Sequence, residues 1–237
     1  MWPGDPAQAN KNEIPTPLWA DNPDWAVGTG MFHINCDYRL MVDNLMDLTH
    51  ENYVHRDSIG QEEIEQAPVK SYVDGDTVIT SRLMENIIAP PFWQAAMQAN
   101  GLDPEQAVDR WQICRFTLPS HIMIDVGVAV AGKGGYDAPS EYRAGGTVID
   151  YLTPETDTSM WYFWGMARHF KVDDEQLSEQ IRINQHKIFS EDLEMLEQQQ
   201  QNLLHYPERR LLKLNIDSGG VLSRRKIKQM LAQEASE

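Results

Sequence analysis

Four residues in one short run have the types and spacing to do metal chemistry: Asn44, Asp47, His50 and His55, in the order N-x2-D-x2-H-x4-H. Two imidazole nitrogens and one carboxylate make the facial triad that suits non-haem Fe(II) oxygenases, because ligands on one face leave the opposite positions open for oxygen. On a helix, Asn44, Asp47 and His50 lie near one face, with Asp47 and His50 as neighbours. His55 is different, since five residues is about 500° of rotation and leaves it about 140° from His50. An uninterrupted helix would aim the two imidazoles apart, so a shared ion requires the helix to unwind or bend between them.

The best source of a third ligand is a long helical run further on, at Ser190-Glu191-Asp192-Leu193-Glu194. Glu191, Asp192, Glu194 and Glu197 all compete for the role, and helical geometry alone does not choose. Against the metal reading, His50 and His55 also read as hydrogen-bonded histidines on a half-buried helix, with the acids as a solvated face. The same triad could hold zinc for hydrolysis. His33, His121, His169, His186 and His205 have no ligand-like spacing and read as structural or surface residues.

The elements that must position these residues follow from hydrophobic period. Residues 37–55 carry Leu40, Met41, Leu45, Met46, Leu48, Tyr53 and Val54 among acids, as an amphipathic helix that loses regularity near its end. From about 67 to 86 the pattern turns extended, with Asp74-Gly75 as a hairpin turn and Ala89-Pro90-Pro91 as a stop. Strands are expected at 111–118, 120–131, 145–153 and 158–170, where β-branched and aromatic residues dominate. Strands following one another in this way make an antiparallel sheet, not a βαβ array. Residues 174–204 form a long helix with Leu177, Ile181, Ile188, Leu193, Leu196 and Leu203 as its buried stripe, and Pro207 follows its end. Residues 1–30, rich in Pro, Asn, Asp and Trp without period, read as an extended linker or covering segment, and 31–237 as the domain proper.

A chain of 237 residues with 41% hydrophobic and 24% charged residues can bury a core without staples. Cys36 and Cys114 are its only cysteines, which excludes a disulfide-rich scaffold, a four-cysteine zinc site and an iron–sulfur cluster held wholly by this chain. A net charge of −16 opposes nucleic-acid binding. The stretch 206–237 is the exception, with seven Lys/Arg against four acids, and reads as neutralising the acidic body or a neighbouring subunit. No basic-then-apolar leader opens the sequence, and the longest apolar stretch, Ile122 to Ala131, is broken by Asp125 and falls short of the ~20 residues of a membrane span. A cytoplasmic protein with no membrane or nucleic-acid partner is expected.

Several runs together resemble the catalytic domain of Rieske-type aromatic-ring oxygenases. They are Trp2-Pro3-Gly4-Asp5, DYRLMVDNLMDLTHENYVH at 37–55, Ser58-Ile59-Gly60-Gln61, Ala89-Pro90-Pro91-Phe92-Trp93, WYFWGMAR at 161–168 and FSEDLEMLEQQQ at 189–200. The likeness spans nearly all the chain and is strongest to the vanillate O-demethylase branch. It implies that His50, His55 and Asp192 bind mononuclear non-haem Fe(II), which settles the choice among the acids. Asp47 matches the family's bridging aspartate, which hydrogen-bonds the ligating histidine equivalent to His50 and carries electrons from the Rieske centre of a neighbouring subunit. Asn44 falls on a position near the iron, and Leu45 and Leu48 flank it as pocket lining.

The resemblance further implies an α+β fold, an antiparallel sheet wrapped around the long C-terminal helix in the helix-grip manner (Bet v1/START-like). The implied reaction is O-demethylation of vanillate to protocatechuate plus formaldehyde, with O2, and electrons from NADH through a flavin and [2Fe–2S] reductase component. Another methoxy- or methyl-aromatic acid is the alternative substrate, and a fragment that only binds small aromatics the alternative role. Relatives are often homotrimers. Complete family members also begin with a Rieske domain whose C-x-H and C-x2-H pairs hold a [2Fe–2S] cluster. Neither pair occurs here, because Cys36 is followed by Asp37-Tyr38 and Cys114 by Arg115-Phe116. The chain therefore reads as a catalytic domain without its electron donor, as a truncated gene, a fragment or a subunit that takes a Rieske-domain donor in trans, and as one that does not turn over alone. Trp2, Trp19 and Trp25 are expected on the surface facing that donor.

Overall fold

Runs in which every second side chain is apolar build one sheet, and helices cover one face of it. A computed structural model describes Ala7, Asn10, Trp19 and residues 22–56 and 58–236. In chain order the elements are β1 (Ala26–Ile34), α1 (Tyr38–Leu45), α2 (Glu51–Val54), α3 (Glu63–Gln66), β2 (Val69–Asp74), β3 (Thr77–Ile87) and α4 (Pro91–Ala99). Then come β4 (Val108–Thr117), β5 (His121–Val130), β6 (Arg143–Thr156), β7 (Ser159–Arg168), α5 (Glu175–His205) and α6 (Ser218–Glu234). The seven strands form one antiparallel sheet in the order β1-β7-β6-β5-β4-β3-β2. The long helix α5 packs against β1 and β7, so the expected α+β helix-grip architecture is the observed one.

The covered face is set by alternation. Val108, Cys114 and Phe116 of β4, Ile122 and Val128 of β5, and Met160, Tyr162, Trp164 and Met166 of β7 are buried in a single core with Phe189 and Leu196 of α5. The hairpin turn lies where Asp74-Gly75 marked it, with Asp74 opposite Thr77 and Gly75 at φ +56°. On α5 the buried line is Gln185, Ile188, Phe189, Asp192, Leu196 and Gln200, whereas Leu177, Ile181, Leu193 and Leu203 are only half-buried. The real stripe thus carries polar residues that an apolar count passes over.

Other elements differ from expectation. The run 37–55 is two helices, not one. Residues 26–30, placed in the covering segment, are the first half of edge strand β1. Trp19 is buried on the opposite face of the sheet beside Ile149 and Ala167, with Trp25 6.0 Å away ring to ring, so these two are packing residues; Trp2 lies outside the described residues. The basic stretch is largely helix α6, which packs on α1, β2 and β3. It does neutralise the body: Arg224 Nε donates to both carboxylate oxygens of Asp43 at 2.8 Å.

The seat of α6 needs glycine at its start. A Cβ on Gly219 would collide with Thr80 Oγ1 and lie 2.9 Å from the Met46 carbonyl oxygen. Gly219→Ala is expected to lower stability by about 1–3 kcal/mol through overpacking. A urea midpoint unchanged from the parent would show that this seat is not tight. Among the described residues, no helix is long and apolar enough to cross a membrane.

Candidate metal centre

A local competition for hydrogen bonds ends α1 before the two histidines are reached. The Asp47 carboxylate accepts from Thr49 N at 2.7 Å and from Thr49 Oγ1 at 2.5 Å, a side-chain turn that draws the backbone out of α1 after Leu45. The chain turns once and re-enters a helix only at α2, with His50 as its N-cap and His55 as its C-cap. The break therefore lies before His50, not between the histidines. A single helical turn separates them, and from its two ends their rings meet at 5.1 Å between centroids.

Asp192 arrives from the buried line of α5. One nitrogen of His50, one of His55 and a carboxylate oxygen of Asp192 lie within 4.8 Å of one another. His50 Nε2 is 3.6 Å from Asp192 Oδ1, and His55 Nε2 is 3.3 Å from Oδ2. His50 Nδ1–H donates to the Asp47 main-chain carbonyl at 2.6 Å, and His55 Nδ1–H to Glu191 Oε2 at 2.8 Å. Both Nδ1 atoms are thus committed outward, which leaves each Nε2 lone pair turned toward Asp192. Burial opposes a charge on His55, but the adjoining Asp192 and Glu191 carboxylates outweigh it and hold the imidazole above its ordinary pKa.

Asn44 Nδ2 donates to Asp192 Oδ1 at 3.0 Å and fixes the carboxylate, while Asn44 Oδ1 is buried with no hydrogen-bond partner. Two outward-anchored imidazoles, one oriented carboxylate and an unmet oxygen fit a divalent transition-metal ion. The other candidate acids are engaged elsewhere. Glu191 backs His55, Glu194 accepts from Gln198, and Glu197 accepts from the Asn35 backbone and side-chain amides at 2.9 Å. The Asp47 carboxylate accepts from Thr49 and not from His50, whose partner at residue 47 is the main-chain carbonyl.

Beside these groups lies a cavity of ≈ 90 Å³, with Leu45 and Leu48 in its wall together with Ile124, Val126, Val148 and Met166. Phe92, Trp93, Met166 and Ile188 also line an outer cavity of ≈ 340 Å³. Neither Phe92 nor Trp93 was singled out as lining on the sequence.

A buried polar network, also not anticipated, ties the histidine segment to the sheet. Arg82 donates to the Leu48 carbonyl, Arg110 Nη1 to the Ile59 carbonyl at 3.2 Å and to Gln61 Oε1, and Gln112 Nε2 to Glu51 Oε1 at 2.5 Å. Each bond runs from β3 or β4 to residues 48–61. The only sequence signal was a polar residue at alternate positions of an otherwise apolar strand. Arg82→Met, which orphans the Leu48 carbonyl and breaks a buried charge network, is expected to cost about 3 kcal/mol of stability and to weaken metal uptake. Urea unfolding with metal titration checks it; unchanged values for both would show that the clamp is idle.

Asp150 is fully buried on β6, accepts from the Tyr162 hydroxyl at 2.7 Å and has Oδ2 unpartnered. Burial pushes its carboxyl up to about 8. The folded state thus keeps a proton that the unfolded chain releases near its ordinary value, so this group's contribution to stability falls as pH rises from about 4 to about 8. Asp150→Asn is expected to flatten that fall in urea midpoints, and an unchanged slope would contradict it.

Over residues 34–233 the chain matches the family described as vanillate O-demethylase oxygenase C-terminal domain. It is 65% identical over 99% of its length to the vanillate O-demethylase oxygenase subunit of Pseudomonas sp. strain HR199, covering 66% of that protein. To the subunit of the same name from Pseudomonas sp. strain ATCC 19151 it is 63% identical over 99% of its length, covering 71% of that protein. It thus spans about two thirds of the length of these relatives. Among solved structures, dicamba monooxygenase bound to 3,6-dichlorosalicylic acid superposes with a TM-score of 0.88 at 28% identity, covering 100% of this chain and 68% of that one. The same enzyme with non-haem iron and dicamba gives a TM-score of 0.78 at 26% identity over 99% of this chain and 66% of that one. By a match across most of its length, this chain belongs to the family of vanillate O-demethylase oxygenase C-terminal domains.

Proposed function

We propose that residues 31–237 are the mononuclear-iron catalytic domain of an aromatic O-demethylating monooxygenase. The reaction takes vanillate, O2, NADH and a proton to protocatechuate, formaldehyde, NAD+ and water. Electrons arrive from a Rieske centre supplied by another domain or chain and from an NADH-dependent reductase component. The observation that carries this reading is the convergence of His50, His55 and Asp192 at the wall of an apolar cavity. The vanillate O-demethylase name of the two Pseudomonas relatives supports the substrate. A dicamba O-demethylase relative at 31% identity supports other methoxyarene acids as the alternative.

In this reading His50 Nε2, His55 Nε2 and the Asp192 carboxylate hold Fe(II). Iron held there would supply the activation of dioxygen. The chain's own residues do the rest. Asp47 O and Glu191 hold the two imidazole Nδ1–H groups, Asn44 orients Asp192, and Leu45, Leu48, Ile124 and Val126 keep water from the methoxy group. The inner cavity, at ≈ 90 Å³, is smaller than the ~150 Å³ that holds benzene in an engineered core, so a methoxyarene extends past Phe92 and Trp93 or parts them.

The test is anaerobic reconstitution with Fe(II), addition of nitric oxide, and the iron–nitrosyl EPR spectrum with and without vanillate. A high-spin signal that vanillate reshapes is expected. Iron that washes off freely, with no such signal, would overturn the proposal.

A further inference from the structure

We propose that Arg110 binds the carboxylate of the aromatic acid, and so makes the cavity selective for anionic arenes. This rests on the O-demethylase reading and adds to it the residue that recognises the substrate's charge. Among the described residues lining the inner cavity, Arg110 is the only lysine or arginine, and it is 2% exposed. A guanidinium so placed on an apolar wall is costly unless its charge and donors are met.

They are only partly met. Nη1 is taken by the Ile59 carbonyl and the Gln61 amide oxygen. Nε is buried without a partner, and Nη2 has only Glu51 Oε2, 3.5 Å away. That is well beyond the ~2.7–2.9 Å of a charge-assisted hydrogen bond. Glu51 does not close the gap because its other oxygen is held by Gln112 Nε2 at 2.5 Å. Gln112 in turn accepts from Arg82, a second guanidinium that is 1% exposed. Two buried guanidiniums thus share one fully buried carboxylate, Glu51, with the half-buried carboxylates of Asp47 beside Arg82 and of Glu63 beside Arg110. Glu63 makes no direct hydrogen bond to Arg110; it accepts from the Gln61 amide at 2.9 Å.

Nε–H and Nη2–H form one edge of the planar guanidinium, the edge a carboxylate engages with two parallel hydrogen bonds. An aromatic carboxylate placed there would give the orphaned Nε–H an acceptor and give Nη2 a closer one than Glu51. The methoxy group of the same ring would then lie on the apolar wall toward His50 and His55.

The experiment is calorimetric titration of the iron-loaded chain with three ligands of one ring pattern: 4-hydroxy-3-methoxybenzoate, 4-hydroxy-3-methoxybenzyl alcohol and 2-methoxyphenol. The last two keep the methoxy and phenol groups and lack the anion. The acid is expected to bind at least about tenfold more tightly than either, the discrimination of a site whose buried donor is otherwise left unpaired. Arg110→Gln is expected to bring the three affinities to within about twofold of one another. The parent-chain comparison stands even where that variant does not fold. Equal binding of acid and neutral ligands by the parent chain, with all three reshaping the nitrosyl spectrum, would overturn the Arg110 assignment and leave the demethylase reading in place. So would an Arg110→Gln chain that keeps the preference. A nitrosyl spectrum indifferent to every ligand, with no binding heat, would overturn both.

Discussion

The Asp192→Ala chain is expected to emerge from reconstitution with less than about a tenth of the iron that the parent chain retains, with its fold intact. Asp192 is the only anionic group of the three that converge, and its two oxygens face the two Nε2 atoms at 3.6 and 3.3 Å. Without it, two neutral imidazoles remain, too few donors for a facial site. The fold should survive because α5 stays anchored through Ile188, Phe189 and Leu196 on either side, and His55 keeps its hydrogen bond to Glu191. Glu191→Ala is the contrast. It removes only the outer partner of His55, for which a loss of about 10- to 100-fold in metal affinity is the ordinary range. Iron content by metal analysis, with circular dichroism as the folding control, reads both. Full iron retention in a folded Asp192→Ala chain would remove Asp192 from the ligand set.

Much of this was legible before any coordinates, and what was not has identifiable causes. The antiparallel sheet, the turn at Asp74-Gly75 and the long helix followed from period and punctuation, which are local properties. Asp192 stands four residues after Ile188 and four before Leu196 on the buried line of α5; the expected stripe also included the half-buried Leu193, which blurred that phase. Strand β1 was hidden by Gly28 and Gly30, which suggest a loop; at Gly30 a Cβ would strike the Trp164 ring, so the glycine is there for packing. Helix α6 was hidden in the same way by its basic residues and by Gly219-Gly220, which likewise serve close approach to α1 and β3. The buried network around Arg82, Arg110 and Gln112 was out of reach, because its partners lie 30 to 61 residues away along the chain. No local pattern encodes such a pairing.

The Asp47→Ala chain should show the opposite behaviour to Asp192→Ala: iron retained to within about twofold, and NADH-driven demethylation lost by about 100-fold when a Rieske-domain donor and reductase are supplied. Retention follows from the geometry, since the atom that holds His50 is the main-chain carbonyl of residue 47, which alanine also has. The carboxylate has another position. Its Oδ1 is turned onto Thr49, and the residue lines, together with His50, an outer groove that Asp43, Met195 and Leu212 also line. A donor arriving from that side meets Asp47 and His50 in the same wall. Two further variants separate the carboxylate's charge from its work in the turn. Thr49→Ala removes the hydroxyl hydrogen bond but leaves the backbone one and the charge, and Asp47→Asn keeps an acceptor for Thr49 while removing the charge. If the bridge is electrostatic, Asp47→Asn resembles Asp47→Ala in coupled turnover and Thr49→Ala stays near the parent. If instead Thr49→Ala fails and Asp47→Asn works, the residue serves only to end α1 and aim His50. Normal coupled turnover in Asp47→Ala would rule out both roles, leaving the imidazole of His50 itself as the point where electrons enter.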